Sequence, residues 1–238
     1  MAISKKKKVA SSLSDLEKLS GVLLLFVYLV ILPLIDGWLV KQLRYVFGPR
    51  VSADVVSLVC FLLLFAAVVL LFHSFLFRSA QDFFHPIDRG LQTYFAALIG
   101  FYGLNELLFR VSHLLWGNMT NLNDGALVTS LFSAPRGMVL AIVVIIPILE
   151  EVLFRGLLFG WLREHSRAAA YLLSCGLFAL LYVSQHGIVR FDLVTLFLLV
   201  QYLVPGLIFA WAYDRSGSIW ASIFVHMTVN ALAVWTLW

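Results

Sequence analysis

Three charged side chains lie inside one of the most apolar runs of the sequence, in the stretch Pro147 to Gly156, which reads PILEEVLFRG. The twelve positions before the acids, Met138 to Leu149, are Met, Val, Leu, Ala and Ile, broken only by Pro147. If a helix enters a bilayer near Met138, Glu150 lies roughly 18 Å along it at 1.5 Å per residue. A hydrocarbon core of about 30 Å still contains that depth. Insertion costs about 2.5–3.5 kcal/mol per ionised side chain near the membrane centre, so three unpaired charges cost on the order of 8–10 kcal/mol. A helix carries such a load only when the charges face a protein interior or a wet cavity. This segment therefore constrains the fold to a bundle with a polar centre.

Helix geometry distributes the three charges. Glu151 and Arg155 are four apart and share a face, with the acid first, which is the favourable order. Glu150 points about 100° away, toward a different neighbour. Arg155 is thus expected to neutralise Glu151, leaving Glu150 to hold a proton, a water or a metal. Pro147 has no amide proton, so the helix is expected to open just before the acids. A structural ion pair that locks helix packing is the plainer alternative.

The rest of the chain agrees with a membrane bundle. Of 238 residues, 62% are hydrophobic and 13% charged, against roughly 25% charged in soluble domains. The fold class is all-α, a polytopic membrane helical bundle of about seven (six to eight) transmembrane helices. Residues 1–14 read as a basic cytoplasmic tail, with Lys5 to Lys8 in it, and 15–238 as a single transmembrane domain. The expected spans are Gly21–Ile35, Val55–Phe77, Leu91–Leu108, Met138–Leu162, Ala168–Val183, Leu193–Tyr213 and Ile219–Trp238. Ser14 and Glu17 have capping-box spacing, which starts a helix near Asp15, and Ser218 after Gly217 is a plausible cap for the last one. With the N-terminus inside, eleven of the seventeen Lys and Arg residues fall on the inner side, which orients the chain N-terminus in the cytoplasm of a plasma membrane. Cys60 and Cys175 sit in apolar runs and read as core. The net charge of +4 forms no basic face, so nucleic acid is excluded as a partner and membrane lipids are expected instead.

Two further polar groups fall inside apolar spans. His226 and Asn230 are four apart on one face of the last helix, and His186 follows the fifth span, four residues after Tyr182. Acid, imidazole and amide are what water activation and oxyanion stabilisation need. Glu and His are also the ligands of a hydrolytic zinc site with an open position, for which Glu150, His186 and His226 are the candidates.

These motifs resemble the CAAX-protease and bacteriocin-processing family (CPBP, also called Abi), whose hallmarks are Glu-Glu-x-x-x-Arg, Phe-x-x-x-His and His-x-x-x-Asn or His-x-x-x-Asp. The first matches Glu150, Glu151 and Arg155, the third His226 and Asn230, and the likeness covers about 121–238. The resemblance implies an intramembrane endopeptidase acting on a peptide or protein substrate near the cytoplasmic leaflet, with Glu150 as general base, Glu151 and Arg155 holding the arrangement, and His226 with Asn230 on the oxyanion. The second motif departs from the pattern. Counting from Phe178, its histidine falls at Tyr182, and His186 lies one turn further on the same face. His186 is the expected substitute, because a tyrosine is no neutral base at pH 7, with Tyr182 as the alternative. A catalytically inactive member serving bacteriocin immunity or regulation, and a small transporter using Glu150 as a proton relay, are the competing functions.

Overall fold

The computed structural model describes residues 13–116, 136–185 and 193–237. They form seven helical rods: α1 Asp15–Phe47, α2 Ala53–Phe84, α3 Ile87–Trp116, α4 Gly137–His165, α5 Arg167–Gln185, α6 Leu193–Ser216 and α7 Ile219–Leu237. No strand occurs among the described residues. Every rod except α3 is long and apolar enough to cross a membrane. The protein is a polytopic helical membrane bundle, as the hydropathy pattern predicts.

The ends follow local chemistry. Ser14 caps α1: its hydroxyl accepts from the Glu17 amide at 3.2 Å, and the Glu17 carboxylate accepts from the Ser14 amide at 2.7 Å. The expected first span stops at Ile35, but α1 runs on through Asp36, Gly37 and Trp38. Nothing in that triplet fixes an incompatible backbone angle, and a single helical glycine costs only about 1 kcal/mol. The rod ends instead at Gly48, whose φ of 92° lies in the left-handed region that glycine adopts without penalty. α2 likewise continues past Phe77 to Phe84. At α7 the Ser218 hydroxyl accepts from the Trp220 amide at 3.3 Å, as its capping position predicts.

Two prolines, Pro33 and Pro147, leave a visible mark inside the rods. In α1 the residues Val27–Ile31, and in α4 the residues Ala141–Ile145, form wide turns with i→i+5 bonding. Each stands two positions before a proline, Pro33 and Pro147. Widening moves the preceding carbonyls away from the pyrrolidine ring. The opening expected before the acids is therefore present as a π-type bulge.

Helix α4 is the axis of the bundle. Its second half touches α1, α5, α6 and α7, and its first half touches α2 and α7. Two glycines let the rods close on it. A Cβ at Gly156 would stand 2.9 Å from Phe75 of α2, and one at Gly21 would stand 2.8 Å from Phe72 and 2.9 Å from Leu157. Phe72, Phe75, Phe154, Phe159, Phe178 and Phe209 fill the resulting core. On the side of α4's C-terminal end, Asp214 accepts from Arg163 at 2.6 Å, Arg167 at 2.7 Å and Tyr171 at 3.1 Å, tying α4, α5 and α6.

Candidate active site

The two adjacent acids sit where α4 passes from an ordinary turn, Ile146–Glu150, into a second wide stretch, Glu151–Phe159. Consecutive residues diverge around a helix, so the acids face different partners. Glu151 turns toward α6 and α7. Its Oε1 accepts from Arg155 Nη1 at 3.1 Å, and Arg155 Nη2 donates to the Gly206 carbonyl at 3.1 Å. Both side chains are fully buried. The guanidinium lies 4.2 Å from the Phe178 ring centre and 5.4 Å from that of Phe209. Those ring faces compensate part of the cation's lost hydration. The spacing rule thus holds inside the membrane bundle.

His226 reaches the same carboxylate from α7, with Nδ1 2.9 Å from Glu151 Oε1. An ionised carboxylate only accepts, so Nδ1 carries a proton, and in the neutral tautomer this leaves Nε2 as an acceptor. Nε2 lies 3.9 Å from Glu150 Oε2. Phe209 stacks on the imidazole with ring centres 4.5 Å apart and planes at 19°, fixing its tilt.

Glu150 is 1% exposed, yet both of its oxygens are satisfied. Oε1 accepts from the Tyr28 hydroxyl at 2.5 Å, and Oε2 from the Tyr182 hydroxyl at 2.9 Å. The expectation that Glu150 looks away from the ion pair is met, but its neighbours are phenols. Tyr182 occupies the position where the second motif has histidine, and its ring stacks on Tyr202 at 5.2 Å. His186, the expected substitute, lies outside the described residues. Asn230 shares the His226 face of α7, but its Nδ2 is directed at the Ile142 carbonyl, 2.9 Å away in the wide turn of α4.

Tyr28 is the site residue that sequence reading missed. Nothing in the run around it is polar enough to mark α1 as more than a span. A signal was present in the spacing, since Glu17, Gly21 and Tyr28 are the buried positions of α1's first two-thirds and form one stripe. Gly21 meets Leu157, and seven residues on Tyr28 meets Glu150, seven residues back along α4. The two helices run antiparallel, so one close glycine contact sets where the phenol lands.

A zinc ion would need three donors aimed at one point. Among the described residues no group of three or more His, Cys, Asp or Glu side chains is so placed. The Glu150 oxygens are engaged by phenols and Glu151 Oε1 by Arg155 and His226, which leaves His226 Nε2 and the buried, unpartnered Glu151 Oε2 among these side chains, one donor short of three. The described donors do not fit a zinc site.

A buried Glu-Glu-Arg-His cluster at the centre of a helical membrane bundle defines the class: a polytopic membrane protein with ionisable groups enclosed between its helices. Residues 132–232 match the family model described as type II CAAX prenyl endopeptidase Rce1-like, so this segment is similar to the family its motifs resemble. The chain is 37% identical over 98 residues to "Putative membrane peptidase YdiL" of Bacillus subtilis (strain 168), covering 41% of this chain and 36% of that protein. It is 31% identical over 87 residues to "UPF0177 protein YxdF" of Lactococcus lactis subsp. lactis (strain IL1403), covering 37% of this chain and 42% of that protein. The alignments thus span well under half of either relative. No solved structure matches the chain. The matched segment holds every motif residue from Glu150 to Asn230 and leaves out Tyr28.

Proposed function

We propose that the protein is an intramembrane endopeptidase in which Glu150 activates a water for attack on a peptide bond. The observation that carries this reading is the facing pair, Glu150 Oε2 and His226 Nε2, separated by 3.9 Å inside the bundle. One water bridges such a gap with ordinary hydrogen bonds to both atoms. Glu150 accepts a proton from that water while Nε2 accepts the other hydrogen bond and orients it. The oxygen adds to the substrate carbonyl carbon, and the carbonyl π electrons move to its oxygen as an oxyanion. Glu150, now protonated, needs one fewer donor, so the Tyr182 hydroxyl turns to the oxyanion. The Glu150 proton then passes to the amide nitrogen, the C–N bond breaks, and a carboxylic acid and an amine leave. Glu151 and Arg155 touch no reacting atom; they hold His226 in the tautomer that leaves Nε2 free. General-base catalysis of this kind contributes about 10²–10⁴-fold.

The substrate class is a membrane-associated peptide or protein, a CAAX-type terminus or a bacteriocin or signal-type segment, cut near the cytoplasmic leaflet of a plasma membrane. The Lys and Arg bias toward the N-terminal side supports that placement. A second reading, a non-catalytic partner of the immunity type, is favoured by Tyr182, which puts a phenol where the family pattern puts an imidazole. Incubating the purified protein in liposomes with tethered peptides of these kinds separates the two. Cleavage that disappears in Glu150→Ala and survives a zinc chelator supports the peptidase reading. Cleavage at an unchanged rate in Glu150→Ala contradicts it, and no cleavage of any peptide moves the weight to the non-catalytic reading.

A further inference from the structure

The carbonyl of Ile142 has no amide left to pair with in its own helix. In an α register its donor is the amide of Ile146, but that proton bonds the carbonyl of Ala141 instead. In the wider register its donor is residue 147, a proline, which has no amide proton. A backbone carbonyl among apolar helices does not stay unpaired without a substantial penalty. Asn230 of α7 brings Nδ2 to 2.9 Å of this oxygen.

We propose that Asn230 is a positioning residue whose amide supplies the proton that Pro147 lacks. Its bond pins the widened turn of α4 immediately before the acids. It also fixes α7 against α4 one helical turn from His226, which bonds Glu151 at 2.9 Å. Two ties between the same antiparallel helices set their register, and the register sets the 3.9 Å separation of His226 Nε2 from Glu150 Oε2. Asn230 therefore acts on the site through backbone geometry.

The test is a double-mutant cycle on unfolding in detergent, with Asn230→Leu, Pro147→Ala and both together. Asn230→Leu removes the donor at similar volume; Pro147→Ala returns an amide proton to α4. The melting temperature is expected to fall by about 3 °C or more for Asn230→Leu in the native background. In the Pro147→Ala background the same substitution should change it by less than about 1 °C. A residue that merely fills space on α7 would not be rescued by one proton on another helix. If Asn230→Leu does not accumulate, the double variant decides: folding like Pro147→Ala alone supports the proposal, and failing with the single variant overturns it. An equal cost in both backgrounds also overturns it. The cycle reads stability alone, so its failure leaves the peptidase reading where it stood.

Discussion

Glu-x-x-x-Arg occurs twice among the described residues, and the two copies have opposite fates. Glu106 and Arg110 of α3 pair at 2.8 Å with side chains 57% and 72% exposed, while Glu151 and Arg155 of α4 pair at 3.1 Å with both at 0%. Distance does not tell them apart; surroundings do. Around Arg155 stand Phe154, Phe178 and Phe209 within 5.9 Å, a backbone carbonyl, and a carboxylate shared with His226. Among the described residues the exposed pair shows only its partner. An exposed pair at this spacing contributes up to about 0.5 kcal/mol, whereas losing one member of a buried pair costs about 3–5 kcal/mol because the other charge stays unpaired. The same motif is surface decoration in one helix and the frame of a site in the other.

That contrast is sharpened or broken by substitution. Arg155→Met is expected to lower unfolding stability by about 3–5 kcal/mol, read from chemical or thermal unfolding in detergent. A loss under about 1 kcal/mol would mean that the buried pair is no frame. Tyr182→Phe, which removes the hydroxyl on Glu150 Oε2, is expected to lower kcat about a hundredfold, in the range for loss of one oxyanion donor. Full turnover would pass the role to another residue, with His186 first in line. Tyr28→Phe removes only the donor on Oε1, remote from His226, and should cost about tenfold in kcat, or roughly 1.4 kcal/mol, with KM little changed. A kcat equal to that of the unsubstituted protein would make Tyr28 a packing residue. Arg110→Met is expected to change stability by less than about 0.5 kcal/mol. A cost matching that of Arg155→Met would erase the distinction between the two pairs.

Much of the central helix was legible in the sequence. Charges embedded in an apolar run have few physical solutions, so the Glu151–Arg155 pairing, the divergent Glu150 and the opening before Pro147 all follow from spacing and from proline chemistry. The face shared by His226 and Asn230 was equally readable. Their partners were not, because periodicity gives direction around one helix and says nothing of what another helix presents there. Asn230 was expected beside the acids, yet its amide bonds the backbone of Ile142, a need visible only once the register of α4 is known. Tyr28 was hidden for a related reason: one hydroxyl in an apolar span is invisible until a glycine contact fixes which helix it meets. The rod ends were misjudged where polar residues were read as boundaries, as at Asp36 and Arg78, since helices end on backbone geometry such as Gly48 and not on polarity.

The account divides labour between neighbouring acids, Glu150 for chemistry and Glu151 for structure. The direct measurement is peptide turnover per folded molecule, with the melting temperature taken on the same samples, for Glu150→Gln and Glu151→Gln. Glu150→Gln keeps an acceptor for the two phenols but loses the base. It should melt within a few degrees of the unsubstituted protein, with turnover down by about a thousandfold. Glu151→Gln should lose about 3–5 kcal/mol of stability with Arg155 left unpaired. Equal loss of folded protein in both variants, or full turnover per folded molecule in Glu150→Gln, would contradict the division.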